Sequence, residues 1–366
     1  MADPRRLRIA LVLGTSGGGV GRHVAALAAG LAGAGHDVRV VGPAATEETF
    51  GFAAAGATFR AWEVRDRPRP AGDLVAVQQL RGLLGGADVV HAHGLRAGGL
   101  AVLALRSLRA PRPPLVVTLH NALLAGGAVA IAYRALERLV ARGAAVVLGV
   151  SADLEQRMRE LGARQVEHAV VPAPILARST GDRRTTRSEL GADGPLVVTV
   201  GRLAEQKGLP LLLAAAGLLA ARSRAPLFAV AGDGPMEDAL RRRIAAEDLP
   251  VRLLGRRDDI ADLLAAADVV VVPSSWEGQP LVVQEALRAG APLVATAVGG
   301  IPDLVGDAAV LVPYGDPVAL ADAIAALLDD PAARDWLAAT ARARAAELPD
   351  DADAVDAALS VYRHLC

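Results

Sequence analysis

PSSWEGQPLVVQEALRAGAPLVATAVGGIPDL, residues 273–304, is the stretch whose reading decides the fold. It follows an apolar strand at 269–272 and begins with a polar loop that carries Glu277. Pro280 stands where a helix would start, Glu285 falls in its second turn, and Gly290 follows its end. Pro at the first helical position and Gly just past the last are the expected helix punctuation. A second strand, 292–295, then runs into the glycine turn Gly299-Gly300. Two apolar strands joined through a helix form a βαβ unit, which calls for a parallel sheet. The helix presents unpaired N–H groups and a partial positive charge beside two carboxylates. An anion receptor flanked by acceptors for hydroxyls suits a phosphorylated sugar.

The same alternation extends in both directions. In the second half, strands are expected at 196–200, 227–231, 251–254, 268–272, 292–295 and 310–312, with helices between them. In the first half they are expected at 7–13, 37–41, 57–62, 88–91, 115–119, 145–150 and 166–171. Pro172-Ala173-Pro174 interrupts the pattern, and the polar stretch 178–194 shows little apolar periodicity. That is where a domain boundary belongs. The fold class is therefore α/β, with two doubly wound, Rossmann-like domains. Ligand crevices in such domains lie at the carboxyl ends of the strands.

Composition fits this plan. The chain has 366 residues, enough for about two domains. Hydrophobic residues make up 52% and aromatics only 3%, so the core is built from Ala, Val and Leu. Cys366 is the single cysteine, which excludes an internal disulfide framework and fits a reducing, cytoplasmic setting. No apolar run approaches the ~18 residues of a transmembrane helix, and the short run 9–13 ends in glycines, as a first strand would. The net charge of −1 is unevenly spread: residues 1–173 carry +7 and residues 174–366 carry −8. A basic first half favours an anionic acceptor or a peripheral contact with the inner membrane face, set against the plainer reading of ordinary solvated surfaces. No nucleic-acid partner is expected. Of the 39 basic residues only Lys207 is a lysine. A compact ammonium offers a phosphate a point charge where a guanidinium fork fits less well.

Several positions could carry chemistry. The first βα turn, Gly14-Thr15-Ser16-Gly17-Gly18-Gly19-Val20-Gly21, lets backbone N–H groups approach a phosphate, but no G-x-G-x-x-G fits, which argues against a dinucleotide. His91 and His93 close one strand and His120 the next. Zinc would need denser ligands nearby, so no metal is expected; His120 reads better as a polar contact to a sugar hydroxyl, and His93 is better placed than His91 to face a crevice. Arg202 closes the first strand of the second half and Lys207 follows at a helix start, two cations able to neutralise a diphosphate leaving group. Gly232-Asp233-Gly234-Pro235 reads as a structural turn. Leu254, Gly255 and Arg256 end a strand where backbone groups could read a nucleobase edge. Glu277 and Glu285 lie eight apart, about 80° around one helix, so with one in the loop and one in the helix they grip different parts of a ligand. Each carboxylate suits a diol, and a general acid/base pair is the other use of such residues.

Taken together, VGRLAEQKG, AGDGP, LLGRRDD and the 273–304 stretch resemble the retaining nucleotide-sugar glycosyltransferases of family four, which have the GT-B fold. The opening GGGVGRHVAALAAGLAGAGHDVRVV is similar to their N-terminal domain. The resemblance implies an acceptor-side domain at 1–173, a nucleotide-sugar domain at 174–350, and a final helix, 351–366, crossing back, with the two domains facing a cleft. It implies that Glu277 contacts the transferred sugar, Glu285 holds the ribose, and Arg202 and Lys207 hold the diphosphate. His120 would approach the reacting centre, while Gly18 and Gly19 lie against phosphates or acceptor. Gly278, Leu281, Val282, Leu254 and Arg256 complete the donor contacts. The implied activity is transfer of a hexosyl-type group, without metal or other cofactor, from a nucleoside diphosphate sugar to an acceptor hydroxyl, with retention. Gln279, Gln284 and Asp303 depart from the usual pattern and bear on donor identity. Rival readings are a nucleotide-sugar epimerase or phosphorylase, a silent sugar-nucleotide-binding subunit, and, weakest, an NAD-dependent dehydrogenase.

Overall fold

The computed structural model describes residues 6–16, 18–64, 70–122, 127–174 and 181–366. Gly17 of the glycine turn and residues 65–69 of the Pro/Arg-rich loop lie outside them. Contacts divide the chain into two units, Met1–Pro172 with Pro349–Cys366, and Ala173–Leu348.

The first unit holds β1 (Arg8–Leu13), β2 (Asp37–Gly42), β3 (Thr58–Ala61), β4 (Val89–His93), β5 (Leu115–Leu119), β6 (Val146–Gly149) and β7 (Val166–His168). They form one sheet in the order β3-β2-β1-β4-β5-β6-β7, and every neighbouring pair is parallel. The second unit holds β8 (Leu196–Val200), β9 (Leu227–Ala231), β10 (Val251–Gly255), β11 (Val269–Val272), β12 (Leu293–Thr296) and β13 (Val310–Val312), in the order β10-β9-β8-β11-β12-β13. In each sheet the order reverses beside the first strand, between β1 and β4 and between β8 and β11. Crevices outside the carboxyl ends of strands at such switch points are the ligand sites of open α/β sheets.

The valine runs explain why the second sheet is covered on both sides. Successive side chains of a strand point to opposite faces. Val270 and Val272 accordingly join a buried cluster with Val282, Val283, Ala286 and Leu287 of the helix Leu281–Ala289. Val269 and Val271 join the opposite cluster, with Leu212, Leu213 and Ala216 of the helix Leu209–Leu219. All four valines of β11 are buried.

The helix Asp351–Leu365 packs within the first unit, against the helix Gly19–Gly33. Gly30 permits the approach, since a Cβ there would lie 2.3 Å from a methyl of Val355. Asp350 caps it through a capping box with Asp353.

Several elements differ from expectation. Pro280 is extended and caps the helix instead of occupying its first position, because its φ of −67° comes with a ψ of 122°. Lys207 ends a short 3-10 turn, Glu205–Lys207, and Gly208 in the left-handed region breaks it from the next helix. The 88–91 strand continues through His93, and the connection between β2 and β3 contains a helix, Ala44–Phe50. Of the polar stretch 178–194, residues 178–180 lie outside the described residues and the rest contains a helix, Arg183–Glu189, whose Arg183 and Arg187 both pair with Asp268. Its inward contacts are largely polar, so apolar periodicity gave no sign of it.

Candidate active site

In the second unit the site is built at the switch point from two loops, one after β8 and one after β11. The first runs Gly201–Gly208, the second starts at Pro273. They are stitched together by backbone and side-chain hydrogen bonds. Ser275 N–H donates to Gln206 O at 2.8 Å, and Gln206 Nε2 donates to Trp276 O at 2.8 Å. Gly208 makes the approach possible: at φ +62° a Cβ would stand 1.8 Å from Pro273 O. The turn at Gly232–Gly234 is equally tight, for a Cβ on Gly232 would meet Gly201 O at 1.9 Å. These glycines are there for packing, as expected of that turn.

The stitching brings Lys207 onto Glu277. Lys207 Nζ donates to Glu277 Oε1 at 2.6 Å, and Ser274 Oγ donates to the same oxygen at 2.6 Å. The Glu277 side chain is only 7% exposed and that of Lys207 27%, so the pair is largely withdrawn from water. Glu277 is held from behind as well. Its carbonyl accepts from Gly300 N–H at 2.9 Å, and a Cβ on Gly299 would fall 1.9 Å from that carbonyl. Arg202 is exposed and enters no ion pair among the described residues. Arg202, Lys207, Ser274 and Val282 line one pocket, together with the ends of β8 and β11.

The structure thus brings Arg202, Lys207, Glu277 and Val282 together, with Gly278 and Leu281 on the same loop and helix start. Glu285 lies buried in that helix. Neighbouring Gln284 accepts from Ala173 N–H at 2.8 Å, and Arg288 donates to Ala173 O at 2.5 Å. The departure at Gln284 therefore has a structural use: it fixes the first residue of the second unit. Leu254 and Arg256 lie at the end of the edge strand β10, two strands from β8, and do not line the Lys207 pocket.

In the first unit, Gly18 and Gly19 open the helix Gly19–Gly33 at the other switch point. A Cβ on Gly18 would meet no atom within 4 Å, so packing does not demand glycine there. His120 follows β5 and bonds to His93, Nε2 to Nδ1, at 3.2 Å. His23, from the glycine-entered helix, meets both rings edge-on at centroid distances of 5.6 and 5.7 Å. His91 lies against His93, ring centroids 4.2 Å apart, and is held in a structural role, bonded to Tyr362 Oη at 2.6 Å and Thr118 Oγ1 at 2.7 Å. His93 Nε2 is buried with no hydrogen-bond partner among the described residues. No group of three or more metal-ligating side chains is arranged for a metal among the described residues. Sequence reasoning missed Ser274, His23 and Tyr362. Ser274 stands three residues before Glu277, a local signal; Tyr362 lies 271 residues from His91 and offered none.

Burial lowers the proton affinity of the whole histidine group. It pushes His23 down to about 4, and His91 to about 3 with help from His23. His93 and His120 are also lowered, first by burial and then by neighbouring imidazoles. Folding therefore favours neutral rings, while the unfolded chain takes up protons once pH falls through about 6.5. Stability is full above that pH and is lost as pH falls, over 6.5 to about 4 for His23 and to about 3 for His91. Each such ring adds a slope of up to about 1.4 kcal/mol per pH unit. Urea unfolding should show stability dropping between pH 6.5 and 5, above the range where carboxylates titrate. A flat profile there would contradict the buried neutral cluster.

Residues 18–174 match the sequence profile of the glycosyl transferase 4-like domain, and residues 194–330 that of glycosyl transferases group 1. A D-inositol 3-phosphate glycosyltransferase from Xylanimonas cellulosilytica is 35% identical over 75% of this chain and 71% of that protein. The chain belongs to the GT4-type glycosyltransferases. An α-D-kanosaminyltransferase from Streptomyces kanamyceticus is 29% identical, over 88% of this chain and 86% of that one. Among solved structures, Anabaena Alr3699/HepE in complex with UDP and glucose superposes with a TM-score of 0.82 at 24% identity, covering 98% of this chain and all of the other. That likeness, with the two parallel sheets, establishes the GT-B fold. As a GT4-type enzyme the chain is a glycosyltransferase of the hexosyl-transferring class.

Proposed function

We propose that this glycosyltransferase takes its sugar from a nucleoside diphosphate sugar and passes it, with retained anomeric configuration, to an acceptor hydroxyl. The observation that carries the reading is the Lys207–Glu277 pair, 2.6 Å apart beside Arg202 at the β8–β11 switch point. An ammonium has three donors, and Glu277 takes one, leaving two to meet a diphosphate. As the bond from sugar to diphosphate breaks, negative charge grows on the leaving oxygen, where pre-placed cations stabilise it without reorganisation. In this scheme Lys207 and Arg202 do the work that a metal ion would otherwise do. Glu277 both aims the ammonium and offers its carboxylate to the sugar hydroxyls. Glu285 takes the ribose diol, and His120 belongs to the acceptor side.

Solved GT-B neighbours crystallised with UDP and with UDP-glucose support a donor of this class. The positive first half suits an anionic acceptor or a peripheral membrane contact, and no helix among the described residues is long and apolar enough to cross a membrane. With a single cysteine in the sequence, a reducing cytoplasm is the setting that fits. Incubation with a panel of sugar nucleotides, followed by mass spectrometry, should reveal slow release of nucleoside diphosphate from one of them without added acceptor. Glu285→Ala should cut that rate at least ten-fold. If no sugar nucleotide is bound or turned over, the donor reading is wrong.

A further inference from the structure

At the end of the first sheet opposite the histidine cluster lies a hollow of about 250 Å³, open to solvent. It sits behind the amino ends of β5 and β6, where Leu115 and Ala145 form part of its wall. Four arginines from four separate segments line it. Arg106 ends the helix Leu95–Arg106, and Arg112 belongs to the proline-rich connection into β5. Arg142 lies in the last turn of the helix Gly127–Gly143, and Arg164 precedes β7. Among the described residues no carboxylate lines the hollow. None of the four arginines enters an ion pair among the described residues, whereas Arg8, Arg157 and Arg159 of the same unit each hold an acid.

Two of these arginines have an ordinary reason to be where they are, since a cation at a helix C-terminus meets the negative end of the helix dipole. That reason does not reach Arg112 or Arg164, nor does it explain why all four converge on one concavity. Arg112 is partly fixed, with Nε donating to Leu108 O at 2.9 Å, which leaves the outer edge of its guanidinium for another acceptor. Four like charges around one hollow repel one another, and an anion placed among them relieves that repulsion. Planar guanidinium forks match phosphate oxygens two at a time.

We infer that this hollow is a second binding site, separate from the β8–β11 pocket, for a ligand bearing phosphoryl groups. The inference does not depend on the donor reading. Its chemistry could be met by a soluble phosphorylated metabolite or by the headgroup of an anionic lipid. The test titrates inorganic pyrophosphate calorimetrically into the full chain carrying Lys207→Ala, so that the β8–β11 pocket no longer contributes its ammonium. A binding event is expected there, and Arg106→Ala/Arg142→Ala should weaken it at least ten-fold, with Arg106→Lys/Arg142→Lys restoring part. Both side chains are exposed, so the variants should keep the thermal midpoint; Arg164→Glu serves as a second probe if they do not. In parallel, sedimentation with phosphatidylglycerol vesicles, against phosphatidylcholine controls, separates the sources. Arginine-dependent binding to vesicles but not pyrophosphate assigns a lipid headgroup, and the reverse assigns a soluble ligand. Binding of neither, or binding indifferent to the arginines, overturns the site.

Discussion

Replacing Lys207 by alanine should lower turnover by roughly 10²- to 10³-fold, the range for removing one pre-placed donor from a developing negative charge. The case rests on position. Lys207 Nζ is fixed by Glu277 at 2.6 Å, and that carboxylate is fixed in turn by Ser274. Glu277 is buried, so losing the ammonium leaves a carboxylate supported, among the described residues, by Ser274. Breaking a buried pair costs about 3–5 kcal/mol when both groups are dry. With Lys207 27% exposed the effect here is smaller, about 1–3 kcal/mol, and shows as a lowered midpoint in urea. Lys207→Arg keeps the charge but brings a wider, planar group to a place shaped for a point charge. It should recover stability better than turnover. If Lys207→Ala retains near-normal donor hydrolysis while folded, the leaving-group role is lost with it.

Gly208→Ala should be among the most damaging single-methyl changes in the second unit. Two costs add. A left-handed backbone at φ +62° disfavours any residue with a Cβ by about 1–2 kcal/mol. The new carbon would also stand 1.8 Å from Pro273 O, a backbone atom that cannot swing aside like a side chain. Overpacking of this kind costs about 1–3 kcal/mol or more. The loops must part to accommodate it, and Lys207, the adjacent residue, moves with them. Stability and turnover should therefore fall together, read by urea unfolding and by donor hydrolysis. Gly18→Ala is the matched comparison, because its Cβ would find open space and its midpoint should not change.

The architecture was legible because each strand is an apolar run bounded by turn residues, and parallel sheets leave that signature in the chain. The 273–304 stretch was legible for the same reason, down to Glu285 in the second helical turn. What the sequence did not disclose were relations set by close approach of distant loops. Lys207 and Glu277 were expected to serve phosphate and sugar separately. Their mutual hydrogen bond depends on Gly208 letting two loops touch, and nothing in either loop alone encodes it. Likewise His91 and His93, two apart in DVVHAHG, share one face of β4, and only contacts with distant residues tell them apart: Tyr362 and Thr118 hold both ring nitrogens of His91, while His93 Nε2 has no hydrogen-bond partner among the described residues.

The helix Asp351–Leu365 has a consequence for how the protein is made. The first unit is discontinuous: residues up to Pro172 wait for Pro349 onward to complete it. During synthesis the whole second unit must be translated before Val355 can cover Gly30 or Tyr362 can satisfy His91. The second unit can mature on the ribosome as a continuous segment, while the first remains an unsealed intermediate with a buried imidazole lacking its phenol. Chaperone demand and early proteolysis should therefore fall on the part of the protein that is translated first.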